Sequence, residues 1–196
     1  MSKIIRLTES DLIKLVKRVI SEQSGGNPIT FSKVVDVPNM SKDQLFDLIM
    51  EWLTTAYKNI SSVIQLSNKQ QGLIVLKGAH TWSAPKGFGG RGWDGRITHT
   101  IKLQVKDNKF KIDMFDLYHD SSATLGDNSA MGGMQVVLDL GLLTDRPTYG
   151  DKPRYSLYQN KAWPLLKDSA QKNFDDFVTS LTSGIQNFKK DDDFQP

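Results

Sequence analysis

Apolar residues in this chain change their spacing several times, and each change marks an element. Ile29, Phe31 and Val34-Val35-Asp36-Val37 make a β-rich run that Pro38-Asn39 closes as a turn. Leu45, Leu48, Ile49, Trp52, Leu53 and Tyr57 then recur at the spacing of one helical face, which Phe46 and Met50 widen. Ser41 stands at the N-cap position, and Asp43 lies in the first turn, where negative charge is favoured. Trp52 is expected to anchor the core. Strand patterns follow: Val63-Ile64-Gln65-Leu66 and Leu73-Ile74-Val75-Leu76-Lys77-Gly78 are joined by a hairpin over residues 68–72. Residues 97–105 alternate apolar and polar, Asp107-Asn108 makes a turn, and residues 110–118 form the partner strand. Between residues 160 and 188 helical spacing returns, with Phe174, Phe177, Val178 and Leu181 expected to face the sheet.

The order strand, helix, four strands, helix predicts an α+β domain, an antiparallel sheet with its helices on one face. The segment from Phe31-Ser32-Lys33-Val34 through Glu51-Trp52-Leu53 and Val63-Ile64-Gln65-Leu66 to Gly72-Leu73-Ile74-Val75-Leu76-Lys77-Gly78 carries a resemblance. It resembles a Bacteroidetes domain family of unknown function with a TATA-binding-protein-like (helix-grip) fold. The similarity spans roughly residues 31–119, with a looser match at the final helix. It implies a sheet covered by a long C-terminal helix, and it leaves residues 120–160 as an insertion. Family members usually carry an export signal or a lipoprotein cysteine. Neither is read here, so the expected location is a virion or a host cytoplasm.

The first 22 residues form a basic amphipathic leader. Thr8 and Asp11 make a capping pair, Leu12, Ile13, Leu15, Val16, Val19 and Ile20 recur at helical spacing, and Lys14, Lys17 and Arg18 flank them. Docking on its own domain or a sister chain and lying on a membrane surface are two destinations for such a helix. A third comes from resemblance: the leader is similar to the capsid-targeting peptides of internal head proteins in tailed phages. Their prohead protease cuts after a Glu two residues beyond an aliphatic side chain, and Ile20-Ser21-Glu22 fits, placing cleavage before Gln23. The expected organisation is a leader at 1–22, a linker at 23–28, the domain at 29–188 and a polar tail at 189–196.

Charge and composition narrow the chemistry. The 25 basic and 22 acidic residues are interspersed, and a net charge of +3 is too small to imply nucleic acid. The absence of cysteine excludes disulfides, thiolate zinc sites and thiol nucleophiles. No run approaches the roughly 18 apolar residues of a membrane-spanning helix. The loop from Trp82 to Arg96 is Gly-rich and carries Lys86, Phe88, Arg91 and Trp93. It has no Walker sequence, so its readings are a hairpin tip folded onto the sheet edge, a phosphate or nucleic-acid contact, or a protein contact.

Catalytic candidates are weak. Asp113 and Asp116 are an odd number of residues apart, so a regular strand sends them to opposite faces and breaks any cluster with His119 and Asp120. His80 and His99 can meet across neighbouring strands, where two histidines without a placed carboxylate are expected to be satisfied structural residues. No catalytic residue, metal or cofactor is therefore expected. The sequence reads as a non-enzymatic binding or structural protein, an internal or accessory virion protein with capsid or scaffold partners. The rivals are a binder of a small apolar ligand between the C-terminal helix and the sheet, and a nucleic-acid-associated protein using the loop at 82–96.

Overall fold

The computed structural model describes residues 26–83, 94–120, 140–147 and 161–192. Five strands form the body of one antiparallel sheet: β1 (Phe31–Asp36), β2 (Ile64–Asn68), β3 (Leu73–Trp82), β4 (Gly95–Lys106) and β5 (Lys109–Asp120), in the spatial order β1-β5-β4-β3-β2. The short β6 (Gly141–Leu142) extends the β1 edge by pairing with Tyr118 and His119 of β5. Helix α1 (Lys42–Ala56) and the single-turn α2 (Ile60–Val63) lie between β1 and β2, and α3 (Trp163–Asp192) closes the chain order. This is the expected α+β arrangement, with α2 and β6 added.

Alternation decides which face is covered. Ile74 and Leu76 of β3, Ile97, Ile101, Leu103 and Val105 of β4, and Phe110, Ile112 and Met114 of β5 are all buried, while their neighbours in sequence turn the other way. Leu45, Phe46, Ile49 and Leu53 of α1 and Leu166, Ala170, Phe174, Val178, Leu181 and Ile185 of α3 complete the core. Removal of this much apolar surface from water is the main term favouring the fold. Ser41 caps α1 as expected, and Gln44 returns a side-chain bond to the cap backbone, a full capping box. Gly72, with φ +61°, makes the β2–β3 turn in a region where side chains are disfavoured.

The parity argument for Asp113 and Asp116 fails on a bulge. Thr98 pairs with Tyr118 and Thr100 with Phe115, so β5 holds one residue more than β4 across this step. Asp116 sits there with φ 54°. The extra residue shifts the phase of the strand, so that burial passes from Met114 to Leu117 and His119. Asp113 and Asp116 consequently both lie off the core face. Asp113 is held by Lys111 at 2.8 Å, and Asp116 is exposed.

Two boundaries move. Residues 26–28, expected in a linker, are fastened to the β6 region: the Asn27 amide donates to Asp145 Oδ1 at 2.9 Å, its Nδ2 donates to Oδ2 at 3.0 Å, and Pro28 bridges Thr144. These bonds hold the Asp145 carboxyl below the ordinary carboxylate range, the Asn27 side chain first. Helix α3 continues to Asp192, so residues 189–192, expected in a polar tail, are helical.

Candidate functional site, a cleft between the helices and the sheet

Strand β2 ends its pairing opposite Leu76, whereas β3 runs on to Trp82. Over residues 77–82, β3 therefore has a strand partner on one side only among the described residues. Above this stretch the C-terminal end of α1 and the middle of α3 leave a cleft of about 330 Å³. Its walls are Trp52, Ala56 and Tyr57 from α1, Gly78 and Ala79 from β3, His99 from β4, and Asn173, Asp176, Phe177 and Ser180 from α3. That volume lies at the small end of ordinary ligand pockets.

Two glycines shape it. A Cβ at position 184 would overlap the Trp52 indole, so Gly184 lets the ring lie against α3. There the indole meets Phe177 edge-on, with centroids 5.6 Å apart at 84°. Trp52 is thus half-buried, packed against the core as expected and also lining the cleft. Phe177 likewise faces the cleft wall, while Phe174, one turn earlier, is buried and stacks on Phe31 at 5.6 Å. Gly78 stands opposite His99 in the β3–β4 register.

His80 and His99 do meet, with ring centroids 5.8 Å apart. Their expected role as satisfied structural residues is met only in part. Each has a buried Nδ1 without a hydrogen-bond partner among the described residues. His99 is only 6% exposed, and a buried polar atom without a partner carries a desolvation penalty of about 1–3 kcal/mol. Ser169 Oγ lies 3.4 Å from His80 Nε2, the roles of the two atoms depending on the tautomer. Burial, and then the charge of His99, push His80 down to about 4. Burial also lowers His99, against an opposing contribution from the Ile97 backbone. Tyr57 is raised by burial. The cleft wall thus presents the His99 imidazole in its neutral form at neutral pH.

His119 differs. It is fully buried, accepts a bond from the Leu140 amide at Nδ1 (3.3 Å) and meets the Trp82 ring edge at 5.5 Å. That contact corrects the surface role expected for Trp82: the indole is 5% exposed and ends β3 inside the core, because β3 is longer than its apolar pattern suggests. Arg96 belongs to β4 and pairs with Asp120 at 3.3 Å. Lys86, Phe88, Arg91 and Trp93 lie outside the described residues, as do Ile20, Glu22 and Gln23 of the leader. Among the described residues no group of three His, Cys, Asp or Glu side chains could hold a metal, and no helix is long and apolar enough to cross a membrane.

Sequence reading missed Tyr57, Asn173, Asp176 and Ser180. The signal was present: Asn173, Asp176, Phe177 and Ser180 recur three, four and seven residues apart, a mixed stripe beside the apolar face of α3.

Residues 31–120 match the domain of unknown function (DUF4468) with TBP-like fold. Among solved structures, a TBP-like protein from Parabacteroides distasonis aligns with a TM-score of 0.50 and 14% identity, over 82% of this chain and 94% of that one. A DUF4468 family protein from Bacteroides ovatus aligns with a TM-score of 0.42 and 17% identity, over 79% and 86%. No curated protein sequence gives a significant match. The antiparallel sheet, the long covering helix and the match over residues 31–120 agree on a TBP-like fold, and that segment is similar to the DUF4468 family.

Proposed function

We propose that this is a non-enzymatic binding protein whose cleft between α1, β3 and α3 receives a small molecule. The observation that carries the reading is the cleft itself, a space of about 330 Å³ in which Trp52, Tyr57 and Phe177 stand beside His99, Asn173, Asp176 and Ser180. The aromatic walls supply apolar area for a ligand body, and the polar groups orient it. Ser169 and His80, whose Oγ and Nε2 lie 3.4 Å apart, both stand off the cleft wall.

The test is a thermal-shift screen of small aromatic compounds, with isothermal titration of those that raise the melting temperature. Ala56→Trp fills the cleft from an exposed position on α1 and should abolish binding while the circular dichroism spectrum is kept. Equal binding by wild type and variant would exclude the cleft. A virion role through the leader is a separate proposal resting on Ile20-Ser21-Glu22. It requires mature particles to contain a chain beginning at Gln23, and N-terminal sequencing that finds Met1 there would sink it.

A further inference from the structure

We infer that the ligand of this cleft is a protonated amine carried on a short apolar body, an inference that rests on the binding role proposed above. The only charged side chain on the described walls is Asp176, and no Lys or Arg lines them. An anion would meet a carboxylate, with the nearest cation, Lys172, off the described walls and already paired with it. Beside Asp176 stand groups able to accept hydrogen bonds: the Ser180 hydroxyl, the Asn173 carboxamide oxygen and the Tyr57 phenol. His99 is the most buried of the polar groups, and a neutral imidazole keeps a ring-nitrogen lone pair for an N–H donor. A histidine held neutral by burial accepts from an ammonium without like-charge repulsion.

The aromatic residues point the same way. Trp52, Tyr57 and Phe177 come from two helices to line one small space. A cation seated against one of these rings, within the roughly 6 Å over which a ring face attracts positive charge, would be held by it. Asp176 is engaged at present by Lys172, four residues earlier, through a bond of 2.6 Å. Both partners of that pair are largely exposed, at 76% and 64%, so it is easily exchanged for a ligand ammonium. Lys172 thus occupies, from outside, the charge position that the ligand would take.

Three probes of matched shape separate charge from shape: 2-phenylethylamine, neutral 2-phenylethanol and the anion 3-phenylpropionate, titrated calorimetrically into the full chain at neutral pH. The amine should bind at least about tenfold more tightly than the other two. Asp176→Asn should reduce amine affinity about fivefold to tenfold and leave the alcohol unchanged. This substitution lies on an exposed position and spares the core, so its folding is expected to match the wild type. Equal binding of amine and alcohol, or tighter binding of the anion, overturns the amine inference and leaves the binding role intact. Failure of all three probes, with Ala56→Trp behaving as the wild type, overturns both.

Discussion

Gly78 and His99 face one another across β3 and β4, and a Cβ on Gly78 would lie 2.7 Å from His99 Nε2. The glycine makes room for the imidazole. Gly78→Ala should force the ring to shift, costing about 1–3 kcal/mol as overpacking does. Urea denaturation measures that loss, and titration with a cleft-binding probe should show weakened affinity. An unchanged affinity would mean that the ring position does not matter to the site.

Phe174 and Phe177, three residues apart on α3, should differ sharply in their contribution. Phe174→Ala removes a buried ring stacked on Phe31 and should cost about 3–5 kcal/mol. Phe177→Ala trims a half-buried cleft wall and should cost about 1–2 kcal/mol. Paired urea midpoints test the order, and a larger loss at Phe177 would mean that the cleft is filled in solution.

Acid should destabilise the domain through its histidine pair. The folded value of His80 is about 4 against an ordinary 6.5, and His99 is shifted in the same direction. Between these limits the unfolded chain binds protons that the folded chain refuses. The histidine contribution is therefore fully present above 6.5 and is lost as pH falls towards about 4. The double variant His80→Gln, His99→Gln should show a flatter stability profile across that window. Carboxylates are common to both proteins and cancel in the difference.

The bulge offers a test of strain. Asp116 adopts φ 54°, a region that Gly enters freely and β-branched residues resist. Asp116→Gly should be neutral or stabilising by up to about 0.5–1 kcal/mol, and Asp116→Val should destabilise by about 1–2 kcal/mol. Thermal melts rank the three proteins. If valine were tolerated as well as glycine, the bulge would not be held in place.

Most of the fold was legible because alternation and helical spacing are local. Ser41, the hairpin at 68–72 and the Asp107-Asn108 turn fall where their residues direct them. The bulge was not, because an Asp at positive φ looks in sequence like an Asp in a regular strand; the phase change from Met114 to Leu117 is its only trace. Trp82 was misplaced because a Gly-rich stretch follows it, yet ten residues of β3 pair with β4 before that stretch begins. The cleft needed one more fact that no spacing contains, namely that β2 stops short of β3. Its polar walls come from three elements far apart in sequence, and only their packing shows that Tyr57, His99 and Asp176 share a space.

The seat of Trp52 against Gly184 has a kinetic consequence. An indole that fits only where a helix lacks a side chain acts as a peg: α1 cannot slide along α3 without lifting the ring away from its notch. The gap between the two helices is therefore set before any ligand arrives. A ligand would meet a mouth already open, its association rate rising linearly with concentration and showing no slow rearrangement step. Filling the notch with Gly184→Ala would release the peg and let the opening of the helix pair appear as a separate, concentration-independent phase.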